Sequence, residues 1–497
     1  MNILELIQRQ AALQPQATYA RSTESGAQLR YGELEEGCAR VGAWLARQGA
    51  ASGDTVSLVM PNGLMTLRLL LGAMASGRCV NPVNLLSQPE VMRYVFEHSD
   101  CKLVLVAPEW AERVRALATG LPCRVVVVDP DALALPGEAD GSAQSAPPPP
   151  PRPDDLALLM YTSGTTGRPK GVMLTHANLV ANANAIAIEH ALTPADRVLG
   201  VLPLYHINAF AVTMLAPLAS GGSVAMAPKF SAARFWEQAV GNDCTWINVV
   251  PTIVSYLLEG EKPAADFSRL RFCRSASAAL PPEHLRGFER KFGLGVIETM
   301  GLTETVAPSF SNPLNPALRK LGAVGRASGC EAQIIDSELR PLPDGCTGEL
   351  AIRGPNVMRG YLKDARATAA CFTPDSWLRT GDLGHRDSDG FFFVTGRIKE
   401  LIIKGGENIA PREIDEALLK HPAVLDAAAV GIPDTHYGQE ILACVVLRAG
   451  MAATEDELRD FCIATLGRYK TPRRFRFMAD LPRGPSGKVQ RLKLAEI

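Results

Sequence analysis

Two spacings of apolar residues alternate along the first 136 residues of the chain. In residues 31–48 the apolar side chains, among them Leu34, Val41 and Leu45, recur at helical spacing, and a second helix is predicted around residues 66–76. Short continuous apolar runs predict buried strands at residues 55–60, 79–83, 102–107 and 124–129. Helices that alternate with buried strands predict a parallel sheet between helical layers, which is an α/β fold.

The alternation continues beyond residues 137–153, a low-complexity segment with five consecutive prolines that we expect to be an exposed linker. Further strands are predicted at residues 156–161, 172–174, 197–203, 246–251 and 270–276. After residue 400 the pattern changes to that of a small α+β domain. Its helices are predicted to start near residues 409 and 455, and its strands at residues 424–430 and 442–447.

Composition and charge narrow the function classes. The 497 residues are 47% hydrophobic and 21% charged with a formal net charge of −1, so nothing indicates nucleic acid or an anionic membrane as a bulk partner. Eleven cysteines include no CxxC pair, which indicates free thiols in a reducing cytoplasm. Residues 1–15 are typical of an amphipathic helix, and no apolar run reaches the ~18 residues of a membrane span. We therefore expect a cytoplasmic enzyme without stable membrane insertion.

The candidate chemistry begins at a predicted hairpin, residues 158–173, whose turn is rich in hydroxyls and glycines. Glycines let backbone N–H groups turn toward an anion, hydroxyls add donors and a lysine adds charge. The pattern differs from a Walker A loop, because Pro169 stands where that loop needs Gly-Lys. The hairpin is predicted to bind polyphosphate through Thr162, Ser163, Gly164, Thr165, Thr166, Gly167 and Lys170.

The segment YTSGTTGRPKGVMLTH, residues 161–176, resembles the signature of the adenylate-forming superfamily of acyl-CoA synthetases, luciferases and peptide-synthetase adenylation domains. Later segments continue the resemblance in order over nearly the whole chain. It implies ATP, Mg²⁺ and coenzyme A as ligands, and a monomer or homodimer. It also implies a large N-terminal domain, residues 1–396, of layered parallel-type sheets with helices and a β-subdomain, and a small mobile α+β domain, residues 397–497, with a hinge near Lys399.

The resemblance also assigns nucleotide-binding roles. Glu304 is the expected Mg²⁺ ligand together with Thr165, because a hard divalent cation prefers oxygen ligands beside a triphosphate. Thr303 is expected to touch phosphate, and Asp382 of WLRTGD to hold the ribose. Met300 replaces the family's adenine-stacking tyrosine, and a thioether can still pack on a ring. The remaining nucleotide contacts are expected from Ser275, Ala276, Ser277, Thr299, Gly301 and Arg397.

The acid and thiol sites follow from the same resemblance. The catalytic residues are expected to be His206, Thr303, Glu304 and above all Lys488, which lies in LPRGPSGKVQR. The acyl pocket is expected to be lined by His206, Asn208, Phe210, Val250, Arg274, Ser277 and Pro308. The hinge and coenzyme A loop are expected to comprise Lys399, Lys404, Gly405 and Gly406. Residues 348–361 resemble a structural segment and are expected to carry little chemistry.

These features predict an acid–thiol ligase that joins a carboxylic acid to AMP and then to coenzyme A. Arg274 beside serines and Asn208 favours a short polar or anionic acid such as oxalate, malonate or a sulfonated analogue. Medium-chain fatty or aryl acids are alternatives, as is an adenylating enzyme that loads a carrier protein. A non-catalytic nucleotide-binding regulator or a scaffold protein is less compatible with a chain that contains both Glu304 and Lys488.

Overall fold

The structure is a computed structural model that describes residues 1–137, 149–162, 168–483 and 489–496. Among these residues the strands of the large domain are β1 (Thr18–Ser22), β2 (Gln28–Arg30), β3 (Thr55–Val59), β4 (Cys79–Pro82), β5 (Leu103–Val106), β6 (Arg124–Val127), β7 (Leu156–Thr162), β8 (Lys170–Thr175), β9 (Arg197–Gly200), β10 (Ser223–Met226), β11 (Trp246–Val249), β12 (Phe272–Ser275), β13 (Val296–Met300), β14 (Phe310–Ser311), β15 (Arg326–Ala327), β16 (Glu331–Ile335), β17 (Gly348–Arg353), β18 (Gly360–Tyr361), β19 (Leu378–Arg386) and β20 (Phe392–Arg397). The strands that follow are β21 (Ile402–Lys404), β22 (Glu407–Ile409), β23 (Val424–Asp434), β24 (Gly438–Leu447) and β25 (Arg474–Phe477).

The helices lie between these strands, as the alternating pattern predicts. They are α1 (Ile3–Leu13), α2 (Tyr31–Arg47), α3 (Leu64–Ala75), α4 (Pro89–His98), α5 (Ala111–Ala118), α6 (His176–Glu189), α7 (Ile207–Ala209), α8 (Ala216–Ser220), α9 (Phe235–Gly241), α10 (Pro251–Glu259), α11 (Pro282–Phe292), α12 (Ala365–Ala370), α13 (Pro411–Leu418), α14 (Glu455–Leu466) and α15 (Arg491–Glu496). A π-helical turn, Phe210–Leu215, joins α7 to α8.

Two mainly parallel sheets form the large domain. The first has the strand order β15-β14-β13-β12-β11-β9-β10-β1-β2 among the described residues, and its run from β13 to β1 is parallel. The second has the order β18-β8-β7-β4-β3-β5-β6, with β7 parallel to β4 and antiparallel to β8. Binding sites of open parallel sheets lie beyond the carboxyl ends of the strands, and the predicted nucleotide and acid residues follow β11, β12 and β13.

The expected β-subdomain and small α+β domain are both present. Strands β16, β17, β19 and β20 form an antiparallel sheet. In the pairing of β19 with β20, Asp382 lies opposite Arg397. In the small domain, β22, β21, β24 and β23 pair antiparallel and β25 adds to β24 in parallel. One apolar cluster on this sheet contains Ile414 and Leu458, and a second contains Leu481 and Leu494.

The described helices are all too short or too polar to span a bilayer. The longest, α2, has seventeen residues and three glutamates within its first turns.

Candidate active site

The two strands at the base of the predicted phosphate-binding hairpin are present. Strands β7 and β8 pair antiparallel with Thr162 opposite Lys170, so these two residues flank the turn. The turn residues Ser163, Gly164, Thr165, Thr166 and Gly167 lie outside the described residues, and so does the predicted catalytic Lys488. The half-buried Lys170 directs its Nζ to a point 4.7 Å from the centroid of the Tyr361 ring.

The predicted metal ligand, Glu304, lies on a short 3₁₀ turn, Thr303–Thr305, that follows β13. Its Oε1 accepts a 2.8 Å hydrogen bond from the hydroxyl of Tyr361. Its backbone carbonyl accepts another from the amide of Met358. Tyr361, from the segment expected to carry little chemistry, thus connects the lysine of the hairpin with the predicted metal ligand.

Two predicted nucleotide-binding segments are neighbours at the carboxyl ends of β12 and β13. Parallel pairing places Ser275 beside Glu298, and the Thr299 hydroxyl lies 3.5 Å from the Ser275 carbonyl oxygen. Ala276 and Ser277 continue from β12, while Met300 and Gly301 continue from β13. A Cβ atom at Gly301 would lie 2.8 Å from the Cα of Ala307. The close approach of these two backbones therefore requires glycine at this point.

The predicted ribose ligand, Asp382, is 3% exposed and faces Arg397 on the neighbouring strand. The Arg397 Nε lies 2.7 Å from the Asp382 Oδ1, and this carboxylate raises the pKa of the guanidinium. The amide of Asp382 donates to the Thr380 hydroxyl at 3.0 Å, and Gly381 adopts the left-handed region with a φ of 72°. This segment of β19, where the pairing with β17 shifts register, fixes the carboxylate that the resemblance assigns to ribose.

A buried polar cluster joins three of the predicted acyl-pocket residues. Asn208 donates through its Nδ2 to the Ser277 hydroxyl at 3.2 Å, and its Oδ1 accepts from Arg274 at 2.7 Å. The same guanidinium nitrogen of Arg274 donates to the Oδ1 of Asn248 at 2.7 Å. Asn248 lies opposite Arg274 in the β11–β12 register and donates to Asn208 at 3.3 Å. The cluster therefore links two sheet strands with the helix that follows His206.

Arg274 is fully buried, and no carboxylate pairs with it in the described part of the chain. Its Nε and second terminal nitrogen lack hydrogen-bond partners among the described residues. Burial lowers the pKa of Arg274 to about 9, so the side chain remains a cation at neutral pH. Nearby His190 is also buried, and burial, assisted by the charge of Arg274, lowers the pKa of His190 to about 3. In the described part of the chain, the side chains that accept hydrogen bonds from this buried cation are therefore neutral amides.

The other predicted acyl-pocket residues lie at varying depth in the large domain. His206 precedes α7, and its ring lies 4.8 Å from that of Tyr205. Phe210 is fully buried in the π-helical turn. Val250 precedes α10, while the Pro308 carbonyl accepts a 2.7 Å hydrogen bond from Asn182.

In the predicted coenzyme A loop, one residue, Lys404, lies in a different environment from that expected of a ligand-binding side chain. Lys399 is exposed on a short turn after β20, and Gly405 and Gly406 have positive φ angles. Lys404, in contrast, is 7% exposed and its Nζ lies 2.6 Å from the buried Glu440 carboxylate. Lys404 also donates to the Tyr469 carbonyl at 3.1 Å. The side chain of Lys404 therefore stabilises the base of the glycine loop through Glu440 and Tyr469 and does not extend toward a ligand.

Three residues of the site were not singled out by the sequence. Asn248 interrupts the apolar run WINVV, and a polar residue inside a buried strand is a signal that could have found it. Glu298 interrupts GVIETM in the same way. Tyr361 left no such signal, because its importance depends on the pairing of β18 with β8.

Glu298 lies where the large domain meets the small one. It is 3% exposed, and its Oε1 accepts a 3.2 Å hydrogen bond from the amide of Leu280. Burial raises the pKa of Glu298 to about 7, whereas Arg412 of α13 acts in the opposite direction. Arg412 also donates to the Val394 carbonyl at 2.6 Å. A carboxyl of the large domain therefore responds to a cation on the small domain.

Comparison with known proteins shows which family and which structures the chain is similar to. The family model described as AMP-binding enzyme matches residues 7–362, and the one described as AMP-binding enzyme C-terminal domain matches residues 413–488. The chain is 56% identical to a sulfoacetate–CoA ligase of Cupriavidus necator over 98% of this chain and 96% of that protein. It is 36% identical to an oxalate–CoA ligase of Arabidopsis thaliana over 90% of this chain and 89% of that protein. It is also similar to the crystal structure of ATP-bound MatB from Rhodopseudomonas palustris, with a TM-score of 0.93 and 31% identity over 100% of this chain and 99% of that one.

The raised pKa of Glu298 predicts a pH-dependent loss of stability that Glu298→Gln removes. Between the ordinary value of 4.5 and about 7 the folded chain holds a proton that the unfolded chain releases, so the free energy of unfolding of the wild type falls as pH rises through this range. Relative to that of the wild type, the free energy of unfolding of the variant should increase by up to roughly 3 kcal/mol between pH 4.5 and 8, since a difference of one pKa unit corresponds to about 1.4 kcal/mol. Urea unfolding at several pH values measures the difference. Glu283→Gln, at an exposed carboxylate of α11, is the control, and parallel profiles for Glu298→Gln and wild type would contradict the prediction.

Proposed function

The chain belongs to the AMP-binding enzyme family, and from this premise we propose that it is an ATP-dependent acid–CoA ligase for a small acid that carries a second anionic group. The observation that carries the choice of acid is the buried guanidinium of Arg274, which has no carboxylate partner among the described residues. The names of two relatives, a sulfoacetate–CoA ligase and an oxalate–CoA ligase, support the same class of acid.

The reaction has two steps in one site. The acid carboxylate attacks the α-phosphorus of ATP, which forms an acyl-adenylate and releases pyrophosphate. The thiol of coenzyme A then attacks the acyl carbon, which forms the thioester and releases AMP. Neither step needs a covalent bond to the protein, so catalysis depends on orientation of the reactants and on stabilisation of developing negative charge.

The nucleotide is proposed to lie across the ends of β12, β13 and β19. Thr162 and Lys170, with residues 163–167 of the hairpin, hold the phosphates. Ser275, Ala276, Ser277, Thr299, Met300 and Gly301 surround the adenosine. Thr303 contacts phosphate, and Asp382, held by Arg397, binds the ribose. The contact of Asp382 with Arg397 and that of Thr299 with the Ser275 carbonyl support these roles because they fix the two side chains.

A magnesium ion fits the residues present. Glu304 supplies a half-buried carboxylate whose second oxygen accepts no hydrogen bond from the described residues. No group of three or more acidic, histidine or cysteine side chains suited to a metal occurs in the described ranges. Magnesium is commonly held by one or two carboxylates together with substrate phosphates and water, so Glu304 with Thr165 would suffice. The ion supplies charge neutralisation on the phosphates when bound.

The acid is proposed to direct its second anionic group toward Arg274. An isolated buried charge costs several kcal/mol unless an opposite charge compensates it. The Nε and second terminal nitrogen of Arg274, which lack hydrogen-bond partners in the described part of the chain, can donate to two oxygens of one carboxylate or sulfonate, the geometry in which arginine binds such groups most strongly. Asn208 and Asn248 occupy the other terminal nitrogen and thereby fix the plane of the guanidinium.

The small domain is proposed to serve the two steps in turn. Lys488 bridges the acid carboxylate and the α-phosphate during adenylation. A rotation near Lys399 then replaces it with the Gly405–Gly406 loop, past which the thiol arm of coenzyme A reaches the adenylate. The buried pairing of Lys404 with Glu440 supports this role, since it gives the loop a rigid base.

Removal of the proposed anion partner tests the acid specificity. The wild type should form AMP faster from oxalate, malonate or sulfoacetate than from acetate, hexanoate or benzoate. Arg274→Met should lower kcat/KM for the dianionic acids at least about 100-fold, because loss of one partner of a buried charge pair costs roughly 3–5 kcal/mol. Its kcat/KM for acetate should fall far less.

Arg269→Met, at an exposed ion pair with Asp243 three residues before β12, is the matched control and should retain the wild-type preference. Arg274→Lys, which keeps the charge but not the fork of donors, should show an intermediate preference. An equal loss for dianionic and monoanionic acids in Arg274→Met would show that Arg274 acts only on the fold. Faster turnover of hexanoate or benzoate by the wild type would refute the proposed acid class.

Separate assays of the two steps test Lys488. Lys488→Ala should lower acid-dependent exchange of pyrophosphate into ATP by roughly 10²–10³-fold, the effect of removing one preorganised stabilising group. Thioester formation from a chemically prepared acyl-adenylate should remain within severalfold of wild type. The exposed Lys420→Ala is the control and should affect neither step. Unimpaired exchange in Lys488→Ala would exclude the proposed role.

A further inference from the structure

Tyr361 lies between the two groups of opposite charge that face the proposed phosphate site. Its hydroxyl donates to the Glu304 Oε1 at 2.8 Å, and its ring faces the Lys170 Nζ at 4.7 Å from the ring centroid. Lys170 and Glu304 form no ion pair with each other in the described part of the chain. The phenol of Tyr361 therefore contacts both the Lys170 ammonium and the Glu304 carboxylate, two groups of opposite charge that attract each other.

The position of Tyr361 is set mainly by its backbone. Strand β18 pairs antiparallel with β8, which places Tyr361 opposite Val172, two residues after Lys170. The Tyr361 amide donates to the Thr368 hydroxyl at 2.9 Å, and the next amide, of Leu362, donates to the Gly171 carbonyl at 2.8 Å. These bonds lie on both sides of the residue and hold the backbone from which the ring projects.

The two contacts differ in strength and in what they permit. A hydrogen bond to a charged group contributes about 1.5–3 kcal/mol, and a cation over an aromatic ring contributes about 0.5–2 kcal/mol. Both are weaker than the interactions that a phosphate or a divalent cation offers to the same groups. Lys170 and Glu304 are thus held in place without being neutralised by each other.

We propose that Tyr361 is a positioning residue that keeps Lys170 and Glu304 apart, so that the ammonium remains available to phosphate and the carboxylate to the cation that accompanies it. This inference rests on the proposed function. A direct Lys170–Glu304 ion pair would have to be broken at each binding of ATP, and the energy lost in this way would weaken the binding of the nucleotide. Tyr361 also occupies one oxygen of Glu304 and so presents the other.

Equilibrium binding of ATP distinguishes the two functions of the phenol. Isothermal titration calorimetry of ATP, with excess Mg²⁺ and with EDTA instead, gives the binding constant under each condition. Tyr361→Phe keeps the ring and removes the hydroxyl, so its affinity for ATP in EDTA should remain within twofold of wild type while its affinity with Mg²⁺ falls about tenfold. Tyr361→Leu removes the ring as well, so its affinity should fall at least fivefold under both conditions, because Lys170 and Glu304 can then pair.

Tyr19→Phe is the matched control, since Tyr19 also donates a buried hydrogen bond of 2.9 Å, to the Met214 carbonyl, but lies on β1 away from the site. It should bind ATP as the wild type does under both conditions. Far-ultraviolet circular dichroism and thermal unfolding select the variants that are folded, and Tyr361→Phe, which conserves the ring, tests the proposal even if Tyr361→Leu does not fold.

Two outcomes would overturn the inference while the wild type still binds ATP. One is an unchanged Mg²⁺-dependent affinity in Tyr361→Phe, and the other is an equal loss with and without Mg²⁺ in that variant. A wild type that binds no ATP and supports no pyrophosphate exchange would instead refute the proposed function. The two failures are therefore distinguishable in the same set of measurements.

Discussion

The parallel register of β11, β12 and β13 is the constraint on which the candidate site depends. Asn248 lies opposite Arg274, and Ser275 lies beside Glu298, because these strands pair residue by residue up to their carboxyl ends. A shift of one residue in a strand would turn its side chains to the other face of the sheet. Arg274 would then leave the Asn208–Asn248 pair, and Glu298 would leave the border with the small domain.

The charged side chains of the site have two kinds of partner, opposite charges and neutral groups. Lys404 is paired with Glu440, and Asp382 with Arg397, each at a buried or partly buried position. Arg274 instead contacts only neutral amides, and Lys170 contacts the face of an aromatic ring, among the described residues. Pairs of the first kind fix loops and turns, whereas charges of the second kind keep most of their electrostatic potential for a ligand. The difference lies in the partner and not in the residue type.

Much of this arrangement could be predicted from the sequence, because it depends on local pattern. The β7–β8 hairpin, the strands that end at Ser275 and Met300, and the α+β end of the chain follow from apolar periodicity and turn residues. Arg274 and Asn208 are expected in the acyl pocket from the family resemblance, and the structure joins them by a hydrogen bond. The role of Tyr361 could not, since it arises from a two-residue strand pairing nearly 190 positions away in sequence from β8. The burial of Lys404 likewise depends on Glu440 and Tyr469, which are distant in the chain.

The electrostatic interaction between Glu298 of the large domain and Arg412 of the small domain links the protonation of Glu298 to the position of the small domain. Arg412 belongs to the small domain, and its positive charge lowers the pKa of a carboxyl that burial alone would raise further. Glu416 of the same helix raises this pKa, but to a smaller extent, so a movement that took α13 away would on balance raise the pKa of Glu298, provided that the carboxyl stayed buried. The proposed reorientation of the small domain would then be accompanied by uptake of a fraction of a proton from the solvent, and its return by release, so that hydrogen-ion concentration would become a thermodynamic variable of the conformational equilibrium.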